Sequence, residues 1–360
     1  MVRTAVVVVP SRNAEELRRR LHALGFVDCS VRMAKRGDEV LIPVRGPPQL
    51  GLASYDARLE DGPALEPRMR PRDPAQEIRN RLASEGVPAA AVPSGWERIG
   101  DVVVLRIPPA GRAHAATIAR IHGQSLGART VVEDRSGIHG PTRTPDVRVL
   151  WGDGTETVHV EGGVRFKLDV ARVMFSSGNV AERTGIAARI RAGEIVVDLF
   201  AGIGYFALPI AVRVPRATIH ACEVNWVAFE YLLENVRLNR AGNVVTRLGD
   251  CREVAPRGVA DWVLMGHFDA PRYLDIAFAC LREAGTLVVH SLHAKEDVPD
   301  LPLAQVREAA TDVGVVVEDA RARVVKSYAP GIVHAVVEAR VGLPPKGISG
   351  PRGLGRAVTR

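Results

Sequence analysis

The residue types best suited to chemistry fall in one stretch, Val196-Val197-Asp198-Leu199-Phe200-Ala201-Gly202-Ile203-Gly204-Tyr205-Phe206. An apolar run stops near an acid, passes through two glycines and opens a helix. Glycines in such a turn accept φ > 0 and let a ligand approach backbone N–H groups. The pattern suits two ligand classes. Gly202, Gly204 and Ala207 satisfy a dinucleotide fingerprint whose third position tolerates alanine. Glu223, at the end of the next strand, suits the ribose diol of either a nicotinamide cofactor or S-adenosylmethionine.

Three features favour S-adenosylmethionine. Asp198 would repel a pyrophosphate but can accept from an amino group, directly or through water. Asp250, after Leu248-Gly249, ends a third strand where a side chain can meet an adenine edge. A closing hairpin near the C-terminus matches a methyltransferase-type sheet better than a six-stranded parallel one. Phe200, two residues past Asp198, joins the candidate contacts. A tight turn with no ligand would explain the glycines, but not acids at the ends of three successive strands.

Upstream, Phe175-Ser176-Ser177-Gly178-Asn179-Val180-Ala181-Glu182-Arg183 offers two hydroxyls and a cation near the turn. Ser176 or Ser177 could cap a helix that leaves Glu182 and Arg183 on its exposed side. Alternatively, Arg183 could pair with the cofactor's carboxylate as a planar bidentate donor. Past a fourth strand, His267 and Asp269 are positioned to remove a proton; a loop histidine without a role is the competing reading. Cys29, Cys222, Cys251 and Cys280 form no C-x-x-C pair, so no metal site or disulfide framework is expected, and a reducing cytoplasm fits.

The elements that position these residues follow from periodicity. Residues 170–341 alternate apolar strands with helices, the pattern of a parallel sheet covered on both faces. The strands are Ile195–Phe200, Thr218–Glu223, Val244–Leu248, Ala260–Met265 and Gly285–His290, with helices at Trp226–Asn239 and Ala270–Arg282. Two segments, Arg323–Tyr328 and Val333–Glu338, flank Ala329-Pro330-Gly331 as a hairpin. Before them, residues 76–169 read as an α+β unit carrying Arg112, Arg120, Arg129, Arg135, Arg143 and Arg148. Within it, Trp151-Gly152-Asp153-Gly154 predicts a hairpin turn between Val147–Leu150 and Thr155–Val160. Residues 1–45 read as a small α/β unit, with a strand at Thr4–Val9 and a helix from Asn13 to about Leu24 capped by Ser11. A further strand follows at Asp38–Val44. Residues 46–75 have linker composition, with Pro47, Pro48, Pro63, Pro67, Pro71 and Pro74. Residues 342–360 read as a flexible basic tail.

Composition bounds the partners. The 360 residues, 46% hydrophobic, predict two or three domains with real cores. No apolar run approaches the ~18 residues of a membrane span, and Met1–Pro10 reads as a strand rather than a secretory signal. The net charge of +7 favours a polyanion. Lys346, Arg352, Arg356 and Arg360 supply much of it from the tail, where a solvated basic end is the plainer explanation.

With these residues in view, the chain resembles the archaeal and eukaryotic enzymes that modify tRNA next to the anticodon. One branch methylates N1 of guanine 37. The other moves a 3-amino-3-carboxypropyl group from S-adenosylmethionine to a tricyclic guanine derivative at that position during wybutosine synthesis. The likeness runs from Arg36–Val44 through Ile99–Leu105 and Phe166–Asp169 to Val325–Gly331. The methyltransferases typically carry Phe-Ser-Pro-Arg where this chain has Phe175-Ser176-Ser177-Gly178, and Asn-Leu-Pro or Asn-Pro-Pro where it has Met265-Gly266-His267. Both stretches resemble the aminocarboxypropyl branch. The unit at 1–45 is familiar from the methyltransferases, and many archaeal aminocarboxypropyl enzymes lack it.

The resemblance implies a Rossmann-like class I methyltransferase fold, S-adenosylmethionine as co-substrate without a metal, and cofactor contacts by Ser176, Arg183, Glu223 and Asp250, the last with Cys251. It also implies tRNA(Phe) as substrate and a monomer acting in the cytoplasm. N1 methylation and a catalytically inactive RNA-binding protein are the alternatives. The cofactor's sulfonium activates three carbons equally, so orientation selects the one transferred.

Overall fold

The structure is a computed structural model that describes residues 2–62, 64–67, 73–139 and 144–342. Arg143 and the basic tail beyond Gly342 lie outside the described residues. The chain divides into two compact units between Glu77 and Ile78.

In the first unit, Ala5–Pro10 is the second innermost strand of a four-stranded sheet ordered 34–36, 39–44, 5–10, 58–60. The valine run is buried on both faces: Val7 and Val9 meet Leu17 and Leu21 of helix Ser11–Ala23, while Val6 and Val8 pack with Val31, Leu41 and Leu65. Two expectations change here. Ser11 does not cap the helix; it is the first helical residue, and its hydroxyl donates to the Asp38 carbonyl at 2.9 Å. The stretch with linker composition supplies strand Arg58–Glu60 to the sheet edge and strand Ala64–Leu65, which pairs with Val2–Arg3. Prolines are tolerated at such edges and short strands, so composition alone hid the pairing.

The second unit begins with helix Pro74–Ser84, most of which lies past the division. A sheet ordered 144–152, 130–139, 102–105, 96–99 carries helix Ala115–Leu126. Alternation along its strands separates two layers. Val103 and Val131 face Ile78, Leu82, Ile118 and Ile121. Val102 and Val132 face the other way, into the cluster that also holds Phe166, Ala207 and Val336. The boundary expected at residue 169 therefore runs through a shared core. The hairpin expected across Asp153-Gly154 is also absent: Thr144–Gly152 pairs with Thr130–His139, and Glu156–Glu161 pairs with Val164–Asp169. Arg129 and Thr130 hold the Asp153 carbonyl and lead the chain away at that turn. The hairpin turn is Gly162-Gly163, both at positive φ (57° and 84°), as a two-residue loop demands.

The remaining sheet has seven strands: β1 (Ile195–Asp198), β2 (Thr218–Glu223), β3 (Val244–Leu248), β4 (Ala260–Met265), β5 (Leu281–Ala294), β6 (Val316–Ala329) and β7 (Ile332–Gly342). Their order is β3-β2-β1-β4-β5-β7-β6. Pairings among β1 to β5 are parallel, and β7 runs antiparallel between β5 and β6. This is the expected parallel sheet closed by a hairpin. Two side-chain amides of the helix after β2 bind the 156–169 hairpin to it. Asn235 accepts from Lys167 N at 2.6 Å and donates to the Lys167 and Ile203 carbonyls, and Asn239 grips Arg165 in the same way. No helix among the described residues is long and apolar enough to cross a membrane.

Candidate active site

β1 ends at Asp198, and the chain turns at the carboxyl edge of the sheet, where parallel α/β folds place their ligands. The turn is held from β2. Glu223 accepts from the Gly202 N–H and the Asn225 N–H, both at 2.7 Å, one on each carboxylate oxygen. Gly204 sits at φ +102°, and a Cβ there would stand 2.6 Å from Leu208. Only glycine fits both that conformation and that contact.

One cavity opens at this edge, lined by Ser176, Arg183, Phe200, Gly202, Glu223, Asp250, Cys251, His267 and Asp269. Nine of the sequence-derived candidates thus converge on it. Asp198 and Gly204 lie off its wall, beneath the turn. Asp198 is fully buried, accepts from Phe200 N at 3.3 Å, and has no partner for Oδ2 among the described residues. Burial pushes its carboxyl up to about 7; the Phe200 N–H works against this, and the Glu223 charge adds to it. Burial likewise raises Glu223, opposed by the N–H groups it accepts. Asp250 accepts from Arg252 through both side chain and backbone, which holds its carboxyl below the usual range. Cys251 is buried and its thiol is pushed up to about 12.

The stretch from Phe175 to Arg183 departs from expectation. Neither serine caps a helix, and Glu182 and Arg183 are buried rather than exposed, at 7% and 1%. Each charge is neutralised by a bidentate partner, Glu182 by Arg323 and Arg183 by Glu161. Arg183 also donates to the Ser176 carbonyl at 2.7 Å. Three of its five N–H donors are thereby used, leaving one on each of Nη1 and Nη2. His267 stacks on Phe200, and its Nδ1 accepts from the Asp269 N–H at 3.2 Å. In the neutral ring the proton then belongs on Nε2, so His267 is built as a donor more than as a base.

Sequence reasoning missed the opposite wall. His290 of β5 and His334 of β7 line the cavity with Phe206 and Phe268. The strands were anticipated, but a histidine inside an apolar strand carries no signal until its neighbour is known. Among the described residues no group of three or more His, Cys, Asp or Glu side chains could hold a metal ion.

Residues 157–318 match the TRM5/TYW2 methyltransferase domain, 78–155 the TYW2 N-terminal domain and 7–49 the tRNA methyltransferase 5 N-terminal domain. The tRNA(Phe) (4-demethylwyosine(37)-C(7)) aminocarboxypropyltransferase of Pyrococcus horikoshii is 36% identical, over 76% of this chain and 99% of that protein. The chain belongs to the TRM5/TYW2 family. Another relative, Trm5b of Pyrococcus abyssi, is 33% identical over 94% of this chain and 99% of its own length. Two solved structures resemble this TRM5/TYW2 member. Pyrococcus horikoshii TYW2 in complex with MeSAdo has a TM-score of 0.67 at 33% identity, covering 74% of this chain and 98% of that one. Pyrococcus abyssi Trm5b has a TM-score of 0.66 at 32% identity, covering 94% and 100%. The cavity fits the S-adenosylmethionine of this family: a glycine turn gives access to backbone, Glu223 faces it from β2, and Asp198 keeps an unpartnered oxygen behind the turn.

Proposed function

We propose that this chain transfers the 3-amino-3-carboxypropyl group of S-adenosylmethionine to a tricyclic wyosine-type guanine derivative at position 37 of tRNA(Phe), releasing methylthioadenosine. The observation that carries this reading is that Ser176 of Phe175-Ser176-Ser177-Gly178 and Gly266 of Met265-Gly266 line one cavity. Gly266 lets the Phe206 ring lie where a Cβ would come within 2.8 Å of it. No amide stands there to hold guanine, and no arginine follows Ser176 to stabilise the oxygen that gains charge as N1 is methylated.

In this reading Glu223 accepts from the ribose hydroxyls, Asp250 and Cys251 meet the adenine, and Phe200, Gly202 and Gly204 shape the turn beneath the cofactor. Asp198 balances the amino group. Ser176 and the two remaining N–H groups of Arg183 meet the carboxylate, with Glu161 fixing the guanidinium from behind. His267 and Asp269 flank the reacting centre. tRNA is held partly by arginines that are ion-paired in the free protein: Arg120 with Glu85, Arg129 with Asp101 at 2.8 Å, Arg135 with Asp146 at 2.6 Å and Arg148 with Glu133 at 2.9 Å. The Arg120 and Arg135 pairs lie at the surface and are worth about 0–1 kcal/mol, so exchanging their carboxylates for phosphates costs little, whereas Arg129 also holds backbone carbonyls and Glu133 is buried. The protein acts as a monomer in the cytoplasm.

Guanine-37 N1 methylation is the second reading, favoured by the match of residues 7–49 to the methyltransferase N-terminal domain and by the length of the Trm5b match. S-adenosylmethionine labelled separately in its carboxyl carbon and its methyl group decides between them. The proposed function expects only carboxyl label in tRNA carrying the tricyclic precursor, with methylthioadenosine as by-product. Methyl label in unmodified guanine-37, with S-adenosylhomocysteine accumulating, establishes the second reading instead.

A further inference from the structure

His290 lies opposite Val336 and His334 opposite Leu292, so the two histidines are diagonal neighbours on one face of the β5–β7 ladder. They are 2% and 0% exposed, and His290 Nδ1 stands 2.9 Å from His334 Nε2. Two ring nitrogens at that distance share one proton: one donates and the other accepts. When His290 donates, its Nε2 is a lone pair; when it accepts, Nε2 carries the proton. That Nε2 has no hydrogen-bond partner among the described residues, although it is buried in a residue that lines the cavity. A buried, unpartnered polar atom is costly unless a ligand completes it.

The position in the sheet says which ligand. Glu223 and Asp250, at the ends of β2 and β3, face the nucleoside end of the cavity. The histidines stand at β5 and β7, on the other side of β1 and β4, where the acceptor must enter. Phe206 packs on His290 at 5.4 Å and Phe268 on His334 at 5.1 Å, and Phe268 continues to the exposed Tyr328 at 5.3 Å. An aromatic path thus leads from the surface to the pair and suits a fused-ring base.

We infer that His290, backed by His334, takes the proton that the acceptor's ring carbon must lose, an inference that rests on the transferase reading above. The ring carbon gives an electron pair to the γ-methylene of the cofactor. As that C–C bond forms, the C–S bond breaks, sulfur keeps its pair, and neutral methylthioadenosine leaves. The acceptor then carries a positive charge and a carbon bearing both its hydrogen and the new group. His290 Nε2 removes that proton, the C–H pair restores aromaticity, and the Nδ1 proton moves to His334 Nε2, leaving the charge shared until the products depart. Burial, the His334 ring and Arg323 lower His290 to about 3, which keeps the pair neutral before reaction. A weak base suffices, because the cationic ring is a strong acid. His334 acts through His290 and is a positioning residue.

The test uses the full chain, tRNA carrying the tricyclic precursor with deuterium at the accepting carbon, and carboxyl-labelled S-adenosylmethionine. Failure of the wild type to transfer label overturns the transferase reading on its own. With transfer established, His290→Asn is expected to lower kcat about 100-fold, to leave methylthioadenosine affinity unchanged, and to turn a deuterium effect near unity into a clear primary effect. His290→Gly should regain part of its rate when imidazole is added, and His334→Gln should show the same isotope signature with a smaller loss. If His290→Asn fails to bind methylthioadenosine, His290→Gln supplies the same readouts. Normal turnover in a folded His290 variant, or a slow variant with neither an isotope effect nor imidazole rescue, overturns the proposal.

Discussion

At the ends of β1, β2 and β3 the cavity is built from Glu223, Asp250, a glycine turn and backbone N–H groups, with Asp198 buried beneath the turn. At the ends of β4, β5 and β7 it is built from Gly266, His267, the His290–His334 pair and the rings of Phe206 and Phe268. The first end answers a ligand rich in hydroxyl and amino groups with fixed acceptors. The second answers a flat base with neutral rings and shared protons. On the proposed function, one sheet edge separates gripping a charged cofactor from admitting an acceptor that becomes charged only during reaction.

The comparison can be broken most severely at the turn. Gly204→Ala puts a Cβ 2.6 Å from Leu208 and 3.2 Å from Leu232 at φ +102°. It should cost about 2–4 kcal/mol of stability and abolish cofactor binding, measured by denaturant midpoint and titration calorimetry. A variant with native stability and affinity would show that the turn is not the rigid part of the site. Glu223→Gln turns an amide N–H₂ toward one of two backbone N–H donors. It should weaken S-adenosylmethionine binding by about 1.5–3 kcal/mol, and unchanged affinity would remove Glu223 from the cofactor end.

Asp198 sharpens the comparison through pH. Its folded pKa of about 7 lies above the ordinary 3.8, so the folded state holds the proton more tightly than the unfolded state. Its stabilising contribution is therefore full below about pH 4, falls as pH rises toward 7, and is constant beyond. Asp198→Asn should flatten that slope in unfolding curves taken across the window. A bound ammonium group reverses the preference, so binding near pH 6 should release part of a proton, seen as a buffer-dependent binding enthalpy; identical enthalpies in two buffers would contradict this. The smallest effect belongs to the acceptor end. Tyr328→Ala should raise KM for tRNA by about 0.5–1.5 kcal/mol and leave cofactor affinity untouched. Equal loss of both affinities would mean that the two ends are not separate.

The gathering of residues at the ends of β1, β2 and β3 was legible in the sequence because its signals are local. Glycines and acids at strand ends are visible residue by residue, and the β-strands around them carry apolar runs that name their own boundaries. The acceptor end was not legible: His290 and His334 sit 44 residues apart, and only the antiparallel insertion of β7 beside β5 makes them neighbours. Arg183 was legible in part: its place on the cavity was anticipated, its burial was not. Its helical position looked solvent-facing, and only Glu161, from a hairpin whose Gly162-Gly163 turn was overlooked, explains a guanidinium 1% exposed. Asp153-Gly154 does lie between the two strands expected, but these do not pair: Arg129 and Thr130 hold the Asp153 carbonyl and the chain passes to another sheet.

The hydrophobic cluster that joins Ile99, Val102 and Val132 to Phe166, Ala207 and Val336 has an evolutionary consequence. A crossover near Glu77–Ile78 leaves that cluster whole, whereas one between residues 132 and 164 hands each descendant half an apolar layer with no complement. Gene exchange can therefore add or discard the first 77 residues as a cassette, but residues 78–155 must be inherited with the chemistry that follows them. The Pyrococcus horikoshii relative aligns over 76% of this chain and 99% of itself, a share compatible with such a cassette.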